Sequence, residues 1–529
     1  MKKFWIICGL AVSCLTVPVL AFVKLSSSLG SSGIDALKLH QPPYNLTGRK
    51  IAIGQVEIGR PGMFGLDKAV SKNRAISPVA VFLRNTPAKS NSGVDPHAYN
   101  VATVMISKDK AWTGVAPDAK LYSSAVGSTR NMGQAEECLS TQHIALQNGG
   151  DVRAINFSFG EPLYRDPRPN AVLDGQALLT LCIDWSSRVH NVVYAIAGNQ
   201  GKGGIPIPTD NFNAINVAFS SAREGIFNKV HVSNLASINQ GIENRLLGKE
   251  FNIGGRRAIN IVAPGTNIPL LNPDGKLNKS TGTSFAAPQV TATVALLQEF
   301  VDRQLRTKQV NWTIDARRHQ VMKAILLNSA DKIKDSGDGL RLGMTRTLID
   351  KQNQDWLASD AYKNSLIPLD AQMGTGHLNA FRAYQQLNAG QWKSTTLVPL
   401  IGWDYGTINA NSIQEYILAR SLKQNSFVAI TLNWDRLVEL DDKNNNQEYD
   451  LDETFINKGL NNLDIYLVKD NGKNNQVVLC QSVSEIDSVE HIFCPVPTNG
   501  NYKIRVQFQK QVNEASQPYA LAWWTVGEK

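Results

Sequence analysis

The spacing of hydrophobic and polar positions changes character once along the chain, near residue 390. Before that point, apolar runs of strand length alternate with longer stretches of helical spacing. Lys50–Glu57, Lys120–Ala125, Val152–Phe157, Val192–Ala197, Ile215–Phe219 and Ile259–Val262 read as strands. Helices are predicted over Gln134–Gln147, Asn170–Val189, Ser284–Val301, Ala316–Asn328 and Leu378–Leu387, with Ala98–Ile106 as the first turns of another. Strand and helix in alternation predict a doubly wound, mostly parallel α/β sheet covered on both faces. In such sheets function collects at the carboxyl ends of the strands. After residue 390 the helical period is lost. Glu415–Leu418, Phe427–Asn433, Leu463–Lys469, Tyr502–Gln509 and Tyr519–Thr525 are short β-rich runs separated by Asn, Asp and Gly turns. They predict a separate all-β sandwich. The expected organisation is a Ser/Gly/Pro-rich, exposed lead-in over 22–46, an α/β domain over 47–390 and a β-sandwich over 391–529.

Composition narrows the class. A hydrophobic fraction of 43% with 19% charged residues excludes a wholly disordered chain, a collagen-like repeat and a polytopic membrane protein. The net charge of +9 is spread over 529 residues without a basic run interleaved with aromatics, so no nucleic-acid partner is expected.

The first residues carry an export pattern. Lys2 and Lys3 precede an uncharged stretch from Phe4 to Val23, and Val19 and Ala21 occupy the −3 and −1 positions of a cleavage after Ala21. Residues 1–21 are therefore expected to be a signal peptide. An uncleaved membrane anchor and a lipoprotein box at Leu10–Cys14 are the other readings, and all three place the remaining chain outside the cytoplasm. Outside this segment there are four cysteines, Cys138, Cys182, Cys480 and Cys494. In an exported chain an even number suggests disulfides. Proximity favours Cys480–Cys494, leaving Cys138–Cys182 to tie two helices; four free thiols is the other reading.

The segment with most chemistry is Gly282-Thr283-Ser284-Phe285-Ala286-Ala287-Pro288-Gln289-Val290. A Gly-led turn presents a hydroxyl at the start of an apolar helix, which suits a nucleophile facing helix N–H groups. A structural N-cap would use the same residue type. The order of residues resembles the serine motif of the subtilisin-like serine peptidases, the subtilases. Asp95-Pro96-His97 with Val101-Ala102 resembles the family's histidine motif. Gly114–Leu121, Asn156-Phe157-Ser158-Phe159-Gly160, Ala197-Gly198-Asn199-Gln200-Gly201 and Ala263-Pro264-Gly265 follow in the family's order, so the likeness covers about residues 48–388. The resemblance implies a subtilisin-type α/β fold and peptide-bond hydrolysis. It makes Ser284 the nucleophile, His97 the general base, Asn199 the oxyanion donor, and Ser158 and Gly160 the strand that pairs with an extended substrate.

The sequence also departs from the pattern. Where the family places an aspartate at the end of the first strand, Ile53-Gly54-Gln55-Val56-Glu57-Ile58-Gly59 places Glu57. Glutamate keeps the charge that orients an imidazole but is one methylene longer. Asp67 and Asp95 are the alternative acids. Tyr99 is bulky where the family is usually small, and is expected either against the cleft or against a neighbouring loop. The lead-in is shorter than the prodomain many secreted members carry. In the tail, Asp442, Asn444, Asn446, Glu448, Asp450 and Glu453 have the spacing of a calcium loop, with Gln447 replacing the usual glycine at position 6. A polar turn is the alternative. The sequence thus predicts an exported, monomeric serine endopeptidase acting on protein or peptide substrates. It would use a Ser-His-Glu triad, with no catalytic cofactor and calcium as a structural ion. The second reading is a catalytically impaired subtilase fold that binds peptides.

Overall fold

The structure is a computed structural model that describes residues 26–127, 133–198, 206–223, 226–232, 252–470 and 476–528. Residues 1–21, expected to be a signal peptide, and Asn199 lie outside the described residues.

The α/β domain is built on strands β1 (Ala52–Glu57), β2 (Ala80–Leu83), β3 (Thr86–Pro87), β4 (Lys120–Ala125), β5 (Val152–Phe157), β6 (Val193–Ala197), β7 (Ile215–Arg223), β8 (Ile226–Val230) and β9 (Ile261–Pro264). Their order is β3-β2-β4-β1-β5-β6-β7-β8, with β9 also on β7. β1, β5 and β6 are buried at every position. That is the signature of parallel strands with both faces covered, and it explains why they read as continuous apolar runs. The pleat divides them between two cores. Ile53 and Ala154 join the core under the helices Pro96–Ile106 and Ala287–Arg306. Ala52, Val56 and Ile155 join the opposite core under Gln134–Ala145 and Leu178–Val189. β1 pairs in parallel with β4 on one side and with β5 on the other. The chain builds outward from β1 to β2 and β4, then crosses back to β5. The topological switch point, where α/β folds open a crevice, is therefore at the carboxyl end of β1, whose last residue is Glu57.

Several predicted boundaries shift for local reasons. The helix expected from Asn170 begins at Leu178, because Gly175 takes a left-handed φ of +77° that interrupts the period. The helix expected from Ser284 begins at Ala287, after a tight turn over Thr283–Phe285. The one expected from Ala316 begins at His319, after a turn over Ile314–Arg317. The strand expected over Ile259–Val262 lies at Ile261–Pro264. The exposed lead-in is a correction: Leu29, Ile34, Ala36, Leu39 and Leu46 are fully buried in the main core. The Arg346 guanidinium donates to the Gly33 carbonyl, and Ala380 N–H to that of Ile34 at 2.7 Å. Composition alone hid this, because a few well-spaced apolar residues anchor an otherwise polar segment.

The tail forms two four-stranded antiparallel sheets. One has the order Ile401–Asn409, Ser516–Trp524, Phe427–Trp434, Val489–Pro495; the other Ile413–Ile417, Tyr502–Lys510, Asn462–Asp470, Gln476–Ser482. Trp434, Trp523, Tyr416 and Ile504 fill the space between them. The sandwich does not stand apart as expected. Its first sheet lies on the helices His319–Asn328 and Ala380–Asn388, and Trp403, Val489, Ala520 and Ala522 belong to the same core as the α/β domain. A ribbon of Leu437–Asp441 and Thr454–Gly459 reaches further, packing on the helix Leu178–Val189.

Both expected disulfides are present. Cys480–Cys494 joins the edge strands of the two sheets, and Cys138–Cys182 joins the helices Gln134–Ala145 and Leu178–Val189. The second closes a separation of 44 residues. Replacing both Cys138 and Cys182 by alanine should lower stability by about 2–4 kcal/mol, read as a shift in the urea midpoint of the full chain. An unchanged midpoint would mean the bond constrains nothing in the unfolded state.

Candidate active site

The loop after β1 and the start of the His97 helix are stitched together. Arg60 N–H donates to the Gly93 carbonyl (2.7 Å), and Asp95 N–H to that of Arg60 (2.9 Å). Gly59 permits this approach: a Cβ there would sit 2.2 Å from the Asp95 Cβ. Asp95 caps the helix, its Oδ1 accepting from Ala98 N–H at 2.9 Å, and Pro96 occupies the first turn, where its missing N–H costs nothing. This places His97 over the end of β1, with Nδ1 3.6 Å from Glu57 Oε2. The alternative acids are engaged elsewhere. Asp67 makes a buried two-pronged ion pair with Arg60 (2.7 and 2.9 Å), and Asp95 is the cap.

Electrostatics reinforce the pair. Glu57 is 2% exposed, and Oε1 has no hydrogen-bond partner among the described residues. Burial pushes its carboxyl above the usual range against the opposing pull of His97. For His97, burial works against the cation, but the negative charge of the adjacent Glu57, with Asp95, outweighs it and holds the imidazole above its ordinary 6.5. An imidazole with strengthened basicity whose Nδ1 faces a carboxylate suits a general base.

The serine turn is locked to the neighbouring strand ends. Gly282 N–H donates to the Gly265 carbonyl at 2.9 Å, and Thr283 Oγ1 to that of Gly198 at 3.1 Å. The Gln289 amide reaches the carbonyls of Pro264 and Phe285. A Cβ on Gly265 would lie 2.5 Å from Phe219 Cβ and 2.7 Å from the Gly282 carbonyl oxygen, so the close approach requires glycine. Ser284 is carried at the mouth of the switch point, 7% exposed, with the Phe285 ring 5.8 Å from that of His97. Ser284 Oγ donates to the Ser158 carbonyl (3.2 Å), and Ser158 Oγ donates to the Ser284 carbonyl (3.0 Å). Among the described residues Ser284 Oγ makes no hydrogen bond to His97.

Ser158 and Gly160 follow the carboxyl end of β5, next to Ser284. Among the described residues the peptide groups of Phe159 and Gly160 make no backbone hydrogen bond. Glu161 then pairs with Ile207 in both directions, at 2.9 and 3.1 Å. Asn199, the expected oxyanion donor, lies outside the described residues; the preceding Gly198 follows β6 and accepts from Thr283 of the serine turn. Tyr99 is fully buried in the main core, which corresponds to packing away from the cleft. Sequence reasoning did not single out Thr283, Gln289, Gly265 or Asn156, whose side-chain amide donates to Ser158 Oγ at 2.9 Å. All four stand inside the motifs that located the site.

In the tail loop, Asp442 accepts from the backbone of Asn446 and Gln447, and the Asn444 and Asn446 amides donate to Asp450 Oδ2 at 2.7 and 2.9 Å. Glu453 accepts from Lys443 and Asp450 N–H, while the Glu448 side chain is exposed. Gln447 adopts φ +64°, the conformation glycine normally supplies at that position. Among the described residues no cluster of three or more His, Cys, Asp or Glu is arranged to hold a metal. The residues thus share one turn, but the two amides present N–H groups where a cation needs oxygen.

A sheet that switches at β1, with an acid, a histidine and a serine gathered at its carboxyl edge, defines the subtilisin-type class of α/β folds. Residues 61–346 match the family model described as "Subtilase family", and the chain belongs to that family. Glu57 precedes the matched span. The chain is 27% identical over 224 residues to the major intracellular serine protease of Bacillus subtilis (strain 168), covering 41% of this chain and 59% of that protein. It is 25% identical over 272 residues to subtilisin NAT of Bacillus subtilis subsp. natto (51% and 60%), and 27% over 219 residues to subtilisin Savinase of Lederbergia lenta (41% and 65%). It spans about 60% of the length of the first two of these relatives. Among solved structures, the prenylagaramide maturation protease PagA aligns over 67% of this chain and 99% of its own, at 18% identity and a TM-score of 0.42.

Proposed function

We propose that the protein is an exported serine endopeptidase. Ser284 would attack the scissile carbonyl of an extended peptide. His97 would take its proton and return it to the leaving amine, and Glu57 would hold the imidazole and stabilise its cation. An acyl-enzyme on Ser284 would then be hydrolysed by water through the same base. Asn199 would supply an oxyanion donor, and Ser158–Gly160 would pair with the substrate backbone. The observation that carries this reading is the 3.6 Å approach of the buried Glu57 carboxylate to His97 at the strand end beside Ser284. Membership of the subtilase family supports the reaction class. The paired cysteines and the basic-then-apolar N-terminus support an oxidising compartment outside the cytoplasm. Incubating the purified chain with denatured casein and sequencing the products by mass spectrometry tests the proposal. New internal cleavages that vanish with Ser284→Ala are expected.

One observation favours a second reading, a peptide-binding protein without turnover. Ser284 Oγ is hydrogen-bonded to the Ser158 carbonyl rather than to His97. Saturable binding of an extended peptide with no cleavage would support it.

The Asp442–Glu453 loop carries the further proposal of a structural calcium ion, which would turn the Asn444 and Asn446 amides to present oxygen. The loop lies against the helix Gln134–Ala145, where the Gln142 amide donates to the Tyr449 carbonyl at 3.2 Å. Chelator should therefore lower the Tm of the full chain, and excess calcium should restore it. A Tm insensitive to both would remove the ion.

A further inference from the structure

The tail reaches into the α/β domain through the tight turn that follows the strand Phe427–Trp434. Its Arg436 is 1% exposed, and its guanidinium donates to α/β-domain groups. Nε donates to Asp184 Oδ2 at 2.9 Å and Nη1 to the Gly175 carbonyl at 2.8 Å. The guanidinium lies 4.4 Å over the Phe212 ring, which Arg256 also faces at 3.8 Å. The backbone joins in, since Arg436 N–H donates to the Asn213 side chain and the Asn213 amide donates back to the Arg436 carbonyl. Gly175 makes room: a Cβ there would lie 2.7 Å from Arg436 Nη1.

These contacts converge on one segment, 206–213. Asp184, held by Arg436, accepts the N–H groups of Phe212 and Asn213. From there Asn211 donates to the Pro208 carbonyl at 2.6 Å. Ile207, at the head of the segment, pairs with Glu161, the residue after Gly160. An unbroken chain of directed contacts thus runs from the sandwich to the strand beside Ser284.

We propose that Arg436 is a positioning residue for the substrate cleft: the sandwich uses it to fix the 206–213 segment, and through Ile207 the register of the Ser158–Glu161 edge. The sandwich is then part of the peptidase rather than a detachable appendage. The proposal rests on reading Ser158–Gly160 as the substrate strand. A lysine cannot replace the arginine, because a single ammonium lacks the planar fork that reaches Asp184 and Gly175 while lying over Phe212.

The test compares full-length wild type, Arg436→Lys and Arg436→Ala by three readouts. Hydrogen exchange should lose protection in peptides covering 158–163 and 206–213, with the strands β1 and β4 unchanged. KM for a peptide spanning several residues on each side of the cut should rise about 10- to 100-fold, with kcat much less affected. The rate at which a small fluorophosphonate labels Ser284 should stay at the wild-type value, because that probe does not need the strand. Arg436→Lys should fall between the other two. Uniform loss of exchange protection, or peptide turnover and labelling falling together, would overturn the proposal by making Arg436 a general stability element. Unchanged KM and unchanged exchange in folded Arg436→Ala would overturn it outright. Failure of the peptidase reading looks different, with wild type neither cleaving nor labelling, and the exchange comparison then decides the wiring by itself.

Discussion

Glu57→Gln is expected to lower kcat by about 10⁴-fold, the order seen when the acid of a Ser-His-acid triad is neutralised, while leaving the fold at least as stable. The two effects separate because the carboxylate is unfavourable for folding and favourable for catalysis. Its pKa is raised by burial, so the folded state holds the proton more tightly than the unfolded chain. Stability from this group is therefore lost as pH rises from the unfolded value through the folded one, and at neutral pH the charged carboxylate is a net cost. Glutamine removes that cost and, with it, the charge that holds His97 above its ordinary value. The base must be neutral to accept the serine proton. The acidic limb of kcat/KM in the wild type should thus lie above pH 6.5 and move to lower pH in Glu57→Gln. A variant with wild-type turnover and an unmoved limb would contradict the assignment of Glu57. Because Asp67 and Asp95 are committed to Arg60 and to the helix cap, no other of the sequence-proposed acids would remain to take its place.

Ser284→Ala should cost about 10⁶-fold in kcat without measurable change in peptide affinity. Among the described residues the hydroxyl donates to the Ser158 carbonyl alone. Its loss frees that carbonyl and removes no group from the pairing edge. Titration calorimetry of a non-hydrolysed peptide against wild type and Ser284→Ala checks the affinity, and single-turnover kinetics checks the rate. Residual turnover near the wild-type rate would show that Ser284 is not the nucleophile.

The α/β core and the motifs that carry Ser284 and His97 were legible in the sequence because each rests on short-range chemistry. Fully buried parallel strands read as apolar runs, and Ser284 and His97 stand in local motifs whose turns need their own neighbours, Gly282 and Pro288 for one, Asp95 and Pro96 for the other. Glu57 was legible from its place at the end of the first strand. What could not be read depends on long-range meetings. The lead-in looked exposed because its anchors meet partners far along the chain, as where Ile34 accepts from Ala380. The sandwich looked separate because an arginine in a tail turn carries no mark that its partners are Asp184 and Gly175. Helix starts were misplaced where a left-handed Gly175 or a tight turn at Thr283–Phe285 interrupts an otherwise helical pattern.

Treating the purified full-length chain with a fluorophosphonate and mapping the modified peptide by mass spectrometry tests whether an activated serine stands at the switch point of this sheet. A single adduct on Ser284 is expected, absent from Ser284→Ala and slowed in Glu57→Gln. A folded wild-type chain that takes no label, or takes it on another residue, would contradict the assignment of Ser284.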